Sequence, residues 1–384
     1  MRRIAQEEID RILDFTAEAD IALPPAVLEK DHHVLAALRI IAALPPNAFF
    51  GLVFCGGTCL SKAYGALERM SEDVDFKLVP TEAAQKLSRT KRRELLGEFG
   101  RQVEAALAEG GFGAGTIARD ARDANNYISL SVDYESAFDK ARALRPHLLI
   151  ELTHAPLSSA SQPRPVGLLL DKLALGDYRA PFEVACISPR EALAEKLISF
   201  PRRLALQLSR HPGSVAAALA DERWDPALVR HLYDVQQLTA KRPELAADAP
   251  ALSQLALAVI EKDRVDFANQ HPAFVADPAL ELRQALAFAA ASETLAQQYA
   301  HFVHEMVYSA PEQIPAYGAA LGAFTATLRA VVNLDPVVAA PAPPAPLAAQ
   351  PAAIAPPAPE PAQAAASATA PPAAKPKRAR GPAR

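Results

Sequence analysis

Between Phe54 and Phe76 the chain sets a Gly56-Gly57 turn ahead of two carboxylates, Asp73 and Asp75, that are one residue apart. Glycines where a strand turns into a helix let the backbone come close to a phosphate, and the free N–H groups of the new helix point at it. The alternation Asp73-Val74-Asp75-Phe76 sends both carboxylates to one face of a strand. Side by side they repel each other and favour a divalent cation between them. Hard oxygen ligands of this kind suit magnesium bound together with substrate phosphates. Taken singly, a Gly-Gly pair is a common turn and Asp-x-Asp a solvated strand face. Joined in one strand–turn–helix–strand unit, they point to an enzyme that handles nucleotides. The spacing excludes two better-known phosphate loops, because neither a Gly-Lys-Ser/Thr nor a G-x-G-x-x-G follows in register with Gly56.

Particular elements must position these groups. Phe50–Cys55 is apolar and reads as a buried strand that stops at the glycines; Thr58 is placed to cap a helix from Cys59 to about Leu67. Val74–Val79 reads as the strand that carries the acids. A two-metal site needs a third carboxylate, which can also accept the proton of an attacking hydroxyl. Glu151, the single acid in the apolar strand Leu148–Thr153, is the first candidate, since an ionised Glu there is costly without a cation. Asp133, at the end of Ile128–Val132, is the competitor. Asp234 lies among Leu232, Tyr233 and Val235 on a helix, where an acid either pairs with a base or acts directly. Arg69 is expected to pair with a carboxylate or with phosphates. His32 and His33 are adjacent on a helix, point apart, and read as one surface and one core residue.

Gly56-Gly57-Thr58, Leu60-Ser61-Lys62, Tyr64-Gly65, Arg69 and Ser71-Glu72-Asp73-Val74-Asp75 together resemble the motif of the AbiEii/AbiGii-type toxins. These are nucleotidyltransferases of the DNA polymerase β-like superfamily, found in abortive-infection and toxin–antitoxin systems. Pro189-Arg-Glu-Ala-Leu-Ala-Glu-Lys196-Leu resembles the family's lysine-bearing helix, and Arg230-His-Leu-Tyr-Asp234 its Arg-x-x-x-Asp helix, although His231 stands where the family often has Asp. The resemblance covers about residues 20 to 240. It implies that Gly56, Gly57, Thr58, Ser61, Lys62 and Arg69 receive an NTP and that Asp73, Asp75 and Glu151 hold Mg2+. It adds Lys196 and Asp234 to the catalytic set, with Lys196 neutralising the departing pyrophosphate. It also implies an RNA (tRNA) or protein acceptor and a neighbouring antitoxin. The alternatives from other classes are a nucleotidyltransferase that modifies a small molecule and a catalytically silent nucleotide-binding module.

Composition bounds the rest. The chain has 384 residues, half of them hydrophobic, which allows a sizeable core. We expect an α/β protein with four parts: a helical segment (1–47), a nucleotidyltransferase-type mixed-sheet core (48–188), a helical domain (189–335) and a disordered Pro/Ala-rich tail (336–384). Expected strands are Phe50–Cys55, Val74–Val79, Tyr127–Val132, His147–Thr153, Val166–Leu170 and Phe182–Ile187, interrupted by a long charged helix, Glu82–Ala108. The tail carries five Lys/Arg and one acid, which leaves the body at −8, from 35 basic and 43 acidic residues. An acidic body argues against a broadly basic nucleic-acid groove, with Arg89–Arg93 the best local strip. No apolar run long enough for a membrane span and no signal-peptide core appears, and the three cysteines are too scattered for disulfides or zinc. The expected location is the cytoplasm.

Overall fold

A computed structural model describes residues 1–18, 23–139 and 144–334. The tail expected from residue 336 onward lies outside the described residues. Residues Met1–Pro336 form one compact unit. Its centre is a seven-stranded sheet with β1 (Phe50–Cys55), β2 (Asp73–Pro80), β3 (Ile117–Arg122), β4 (Tyr127–Val132), β5 (Leu148–His154), β6 (Gln162–Val166) and β7 (Phe182–Cys186). The spatial order is β3-β4-β5-β2-β1-β7-β6. β2 runs parallel to β5 and β1 parallel to β7, while the remaining pairs are antiparallel. The protein is therefore mixed α/β, as expected.

Strand alternation gives the sheet two unlike faces. Val74, Phe76 and Leu78 of β2, Ile128, Leu130 and Val132 of β4, and Leu148, Ile150 and Leu152 of β5 are fully or almost fully buried. The helices Pro25–Ala42 and Arg89–Leu107 cover that side, with Phe99 packed edge-on against Phe50 at 5.2 Å. The alternate residues, Asp73 and Asp75 with Tyr127, Ser129 and Glu151, remain half-buried on the other face. Beyond β7 the chain is helical. Pro189–Ser209 is the central rod, packed by Arg230–Lys241, Ala249–Asp266 and Pro278–Ala291. No helix among the described residues is long and apolar enough to cross a membrane.

Four local expectations change. The helix after the glycines runs Gly56–Lys62, and Thr58 sits inside it, donating its hydroxyl to the Asp73 carbonyl at 2.5 Å rather than capping. The Val166–Leu170 strand is instead β6 followed by the helix Leu169–Leu175. Pro163 and Pro165 are tolerated because β6 is an edge strand, and the Asp31 carboxylate accepts the Leu169 N–H at 2.7 Å. The Glu82–Ala108 helix breaks near Ser88, whose hydroxyl caps Lys91 N–H at 3.2 Å. β3 went unread because an exposed edge strand with Arg119, Asp120 and Arg122 lacks apolar alternation. His32 and His33 are both buried, His33 stacking on Tyr134 at 4.2 Å, so the expected surface position for one of them is not found.

The described chain closes on Val331, Val332 and Leu334, all buried, and Arg283 donates to the Leu334 carbonyl at 2.6 Å. A chain stopped after Leu334 should melt with the full-length protein. One stopped after Ala330 should lose about 1.5–3 kcal/mol per deleted buried side chain and melt several degrees lower. Equal melting of both truncations in a thermal scan would contradict this packing.

Candidate active site

The register of β2 against β5 sets Asp75 directly beside Glu151, and Asp73 precedes it by one strand repeat. Glu151 accepts the Tyr127 hydroxyl from β4. Gly56 closes the other side. Its φ of 75° favours glycine, and a Cβ there would fall 1.9 Å from Asp75 Oδ2. Gly57 is crowded less severely, a Cβ there lying 2.5 Å from Arg69 Nη2. The glycine pair is thus what lets the carboxylate and the guanidinium pack against the β1 turn. Burial first, then Glu151 and Asp73, push the Asp75 carboxyl well above the usual range; Lys196 pulls the other way. Asp133, the competitor for the third acid, is exposed beyond the end of β4.

Cations wall this acidic face. Arg145, in the loop before β5, pairs with Asp73 Oδ1, and Arg230 Nη2 lies 3.9 Å from Asp73 Oδ2. Asp234 sits deeper. It accepts Arg69 through both oxygens, at 2.6 and 2.8 Å, and Lys196 at 2.7 Å. Burial works to raise the Asp234 carboxyl, yet Arg69 and Lys196 overcome it and hold the group well below the usual range. Arg69, Lys196 and Asp234 therefore form one buried cluster beside the acids, with Lys196 near enough to act on Asp75.

Other expected contacts face inward. The Ser61 hydroxyl donates to the Leu67 carbonyl at 3.1 Å. Lys62 pairs with Asp31 at 2.5 Å and donates to the Gly167 carbonyl at 3.0 Å. These side chains fasten the Gly56–Lys62 helix to its surroundings. The three thiols are free and buried, as expected. The sequence reading missed Tyr127 and Arg145. Tyr127 had a signal, because it lies on the polar side of an alternating strand; Arg145 had none.

The carboxylates Asp73, Asp75 and Glu151 offer only hard oxygen donors, and the raised Asp75 carboxyl marks charge that a cation would relieve. This donor chemistry fits a divalent ion. Among the described residues no three acidic, imidazole or thiol groups are already drawn into a metal cage, Asp73 being turned onto Arg145.

A sheet face that gathers carboxylates beneath an arginine–lysine rim has the chemistry for transfer of a phosphorus group. Residues 39–323 match the family described as nucleotidyl transferase AbiEii toxin, type IV toxin–antitoxin system, and the chain belongs to that family. It is accordingly an NTP-dependent nucleotidyltransferase and the toxin of such a system. Among solved structures it is similar to MenT4, a nucleotidyltransferase toxin from Mycobacterium tuberculosis H37Rv, at 19% identity and a TM-score of 0.47, covering 87% of this chain and 91% of that one. No curated protein sequence matches.

Two substitutions test the charge arrangement. Asp234→Ala leaves Arg69 and Lys196 buried without their counter-ion and should cost about 3–5 kcal/mol in urea unfolding; an unchanged midpoint would contradict the cluster. For Asp75, folding raises the pKa, so the folded state holds that proton more tightly. Stability is lost as pH rises above the unfolded value of about 3.9. Asp75→Asn should be more stable than wild type at pH 7, by a margin that shrinks toward pH 4. A margin independent of pH would refute the assignment. For Asp73 no such gain is expected, because Arg145 and Arg230 already offset its charge.

Proposed function

We propose that this toxin is magnesium-dependent and transfers NMP from an NTP to a hydroxyl of an RNA acceptor, tRNA being the favoured class. The observation that carries this reading is the pairing of Asp75 with Glu151 in adjacent strands, with Asp73 one repeat away. Asp73, Asp75 and Glu151 would hold the metal, which when bound polarises the phosphoryl oxygens and neutralises developing charge. The Gly56–Gly57 turn brings the backbone against Asp75 and Arg69, so a triphosphate held by the acids would lie next to it. Glu151 is the group we assign to receive the proton of the attacking hydroxyl, and Lys196 the one facing the leaving pyrophosphate. Asp234 holds Lys196 and Arg69 in place as an ionised partner. Ser61 and Lys62, already satisfied by the protein, contribute by fixing the turn. The cognate antitoxin that type IV systems contain would restrain the enzyme in the cytoplasm.

A protein hydroxyl is the second acceptor to test, because the acidic body offers RNA only local basic strips such as the exposed start of the Arg89–Leu107 helix. Incubation of purified protein with labelled NTPs, Mg2+ and either total RNA or total protein should label RNA. Asp73→Asn and Asp75→Asn should each lower transfer by about 100-fold or more, since each metal contact stabilises charge formed in the transition state. Retention of more than a tenth of wild-type transfer by both variants would remove the carboxylate assignment. Label on protein alone would move the acceptor to the second reading.

A further inference from the structure

We propose that Arg145 and Arg230, in addition to Lys196, bind the β- and γ-phosphates of the NTP, resting on Asp73 until nucleotide arrives. This rests on the reading of Asp73, Asp75 and Glu151 as metal acids. The two arginines come from separate parts of the chain, a loop before β5 and the start of the Arg230–Lys241 helix, and meet at opposite oxygens of one carboxylate.

Arg145 stands on a built mount. Its backbone N–H donates to Glu72 Oε2 at 2.9 Å, and its carbonyl accepts Lys30 Nζ at 2.7 Å. Lys30 and Glu72 pair with each other at 2.5 Å, at 0% and 5% side-chain exposure. A buried ion pair adds little stability over apolar packing of the same volume. What this one does is fix both polar groups of a single loop residue. The side chain so positioned keeps 35% exposure and reaches out over the acids. Arg230 is steadied through its Nε, which donates to the Ala227 carbonyl at 3.1 Å.

Charge decides what such a pair is for. A face that gathers Asp73, Asp75 and Glu151 repels a triphosphate unless the protein supplies cations of its own. Guanidinium is the cation whose planar fork matches phosphate oxygens. Once a metal occupies Asp73, both arginines lose their carboxylate partner at the place where the triphosphate lies. One ion pair is then exchanged for another, and the site stays compensated.

The test uses the full chain and two ligands, an α,β-methylene NTP with Mg2+ and the matching NMP, measured by calorimetry. Arg145→Ala and Arg230→Ala should each weaken the NTP analogue by at least about tenfold while changing NMP affinity less than twofold. Arg145→Lys should recover part of the loss. Mn2+ alone, followed by paramagnetic resonance, should bind the alanine variants as tightly as wild type or more tightly, since a competitor for Asp73 is gone. Undiminished NTP-analogue affinity in the variants would overturn the proposal, as would equal losses for NTP analogue and NMP. Failure of the wild type to bind the NTP analogue would overturn the reading of the acids, and this inference with it.

Discussion

Two carboxylates held side by side in a low-dielectric setting are the constraint around which the molecule is arranged. Parallel pairing of β2 with β5 forces Asp75 against Glu151, and the strand repeat adds Asp73 to the same face. Apolar residues on the other face bind those strands into the core, so the acids cannot move apart without unfolding the sheet. The raised Asp75 carboxyl is the direct expression of that confinement. A fold that maintains it must supply positive charge, from side chains in the free protein and from a cation and their rearrangement in the working one.

The helical half answers that demand. Pro189–Ser209 delivers Lys196, and Arg230–Lys241 delivers Arg230 and Asp234 from one helix face, four residues apart. Asp234 draws Lys196 and Arg69 to a single buried point, which couples the loop after the glycine turn to the helical rod. The Pro25–Ala42 helix supplies a further set of buried charges from below the sheet. Glu29 accepts the Ala137 N–H at 2.6 Å, Lys30 pairs with Glu72, and Asp31 pairs with Lys62. Two of these links end next to the site: Glu72 directly precedes Asp73, and Lys62 closes the helix that begins at Gly56. Polar burial in this protein is concentrated where the site has to be held still.

How much of this was legible depended on whether a signal was local. Asp73-Val74-Asp75-Phe76 declares its facing by alternation, and Glu151 stands out as one acid in an apolar run; both lie on the predicted strands. One of His32 and His33 looked solvent-facing because the polar composition of the Glu29–His33 run is local. The partners that bury it come from Glu72, Ala137 and Leu169, far along the chain. Arg145 stands in a stretch of sequence with no periodicity, so nothing nearby announces that its backbone is bolted to a buried ion pair. The start of the helix Leu169–Leu175 read as the end of a strand because Leu168-Leu169-Leu170 is apolar in any period, and that start depends on a cap supplied by Asp31. Family resemblance located Lys196 and Asp234, while the joint hold of Asp234 on Lys196 and Arg69 emerged only from the packing.

The most direct measurement of the central claim is anomalous diffraction from crystals grown with Mn2+ and a non-hydrolysable NTP. The account predicts an anomalous peak coordinated by carboxylate oxygens of Asp73, Asp75 and Glu151, with the triphosphate against the Gly56–Gly57 turn. Bound nucleotide with no peak between those three carboxylates, or with the metal held by other residues, would contradict it.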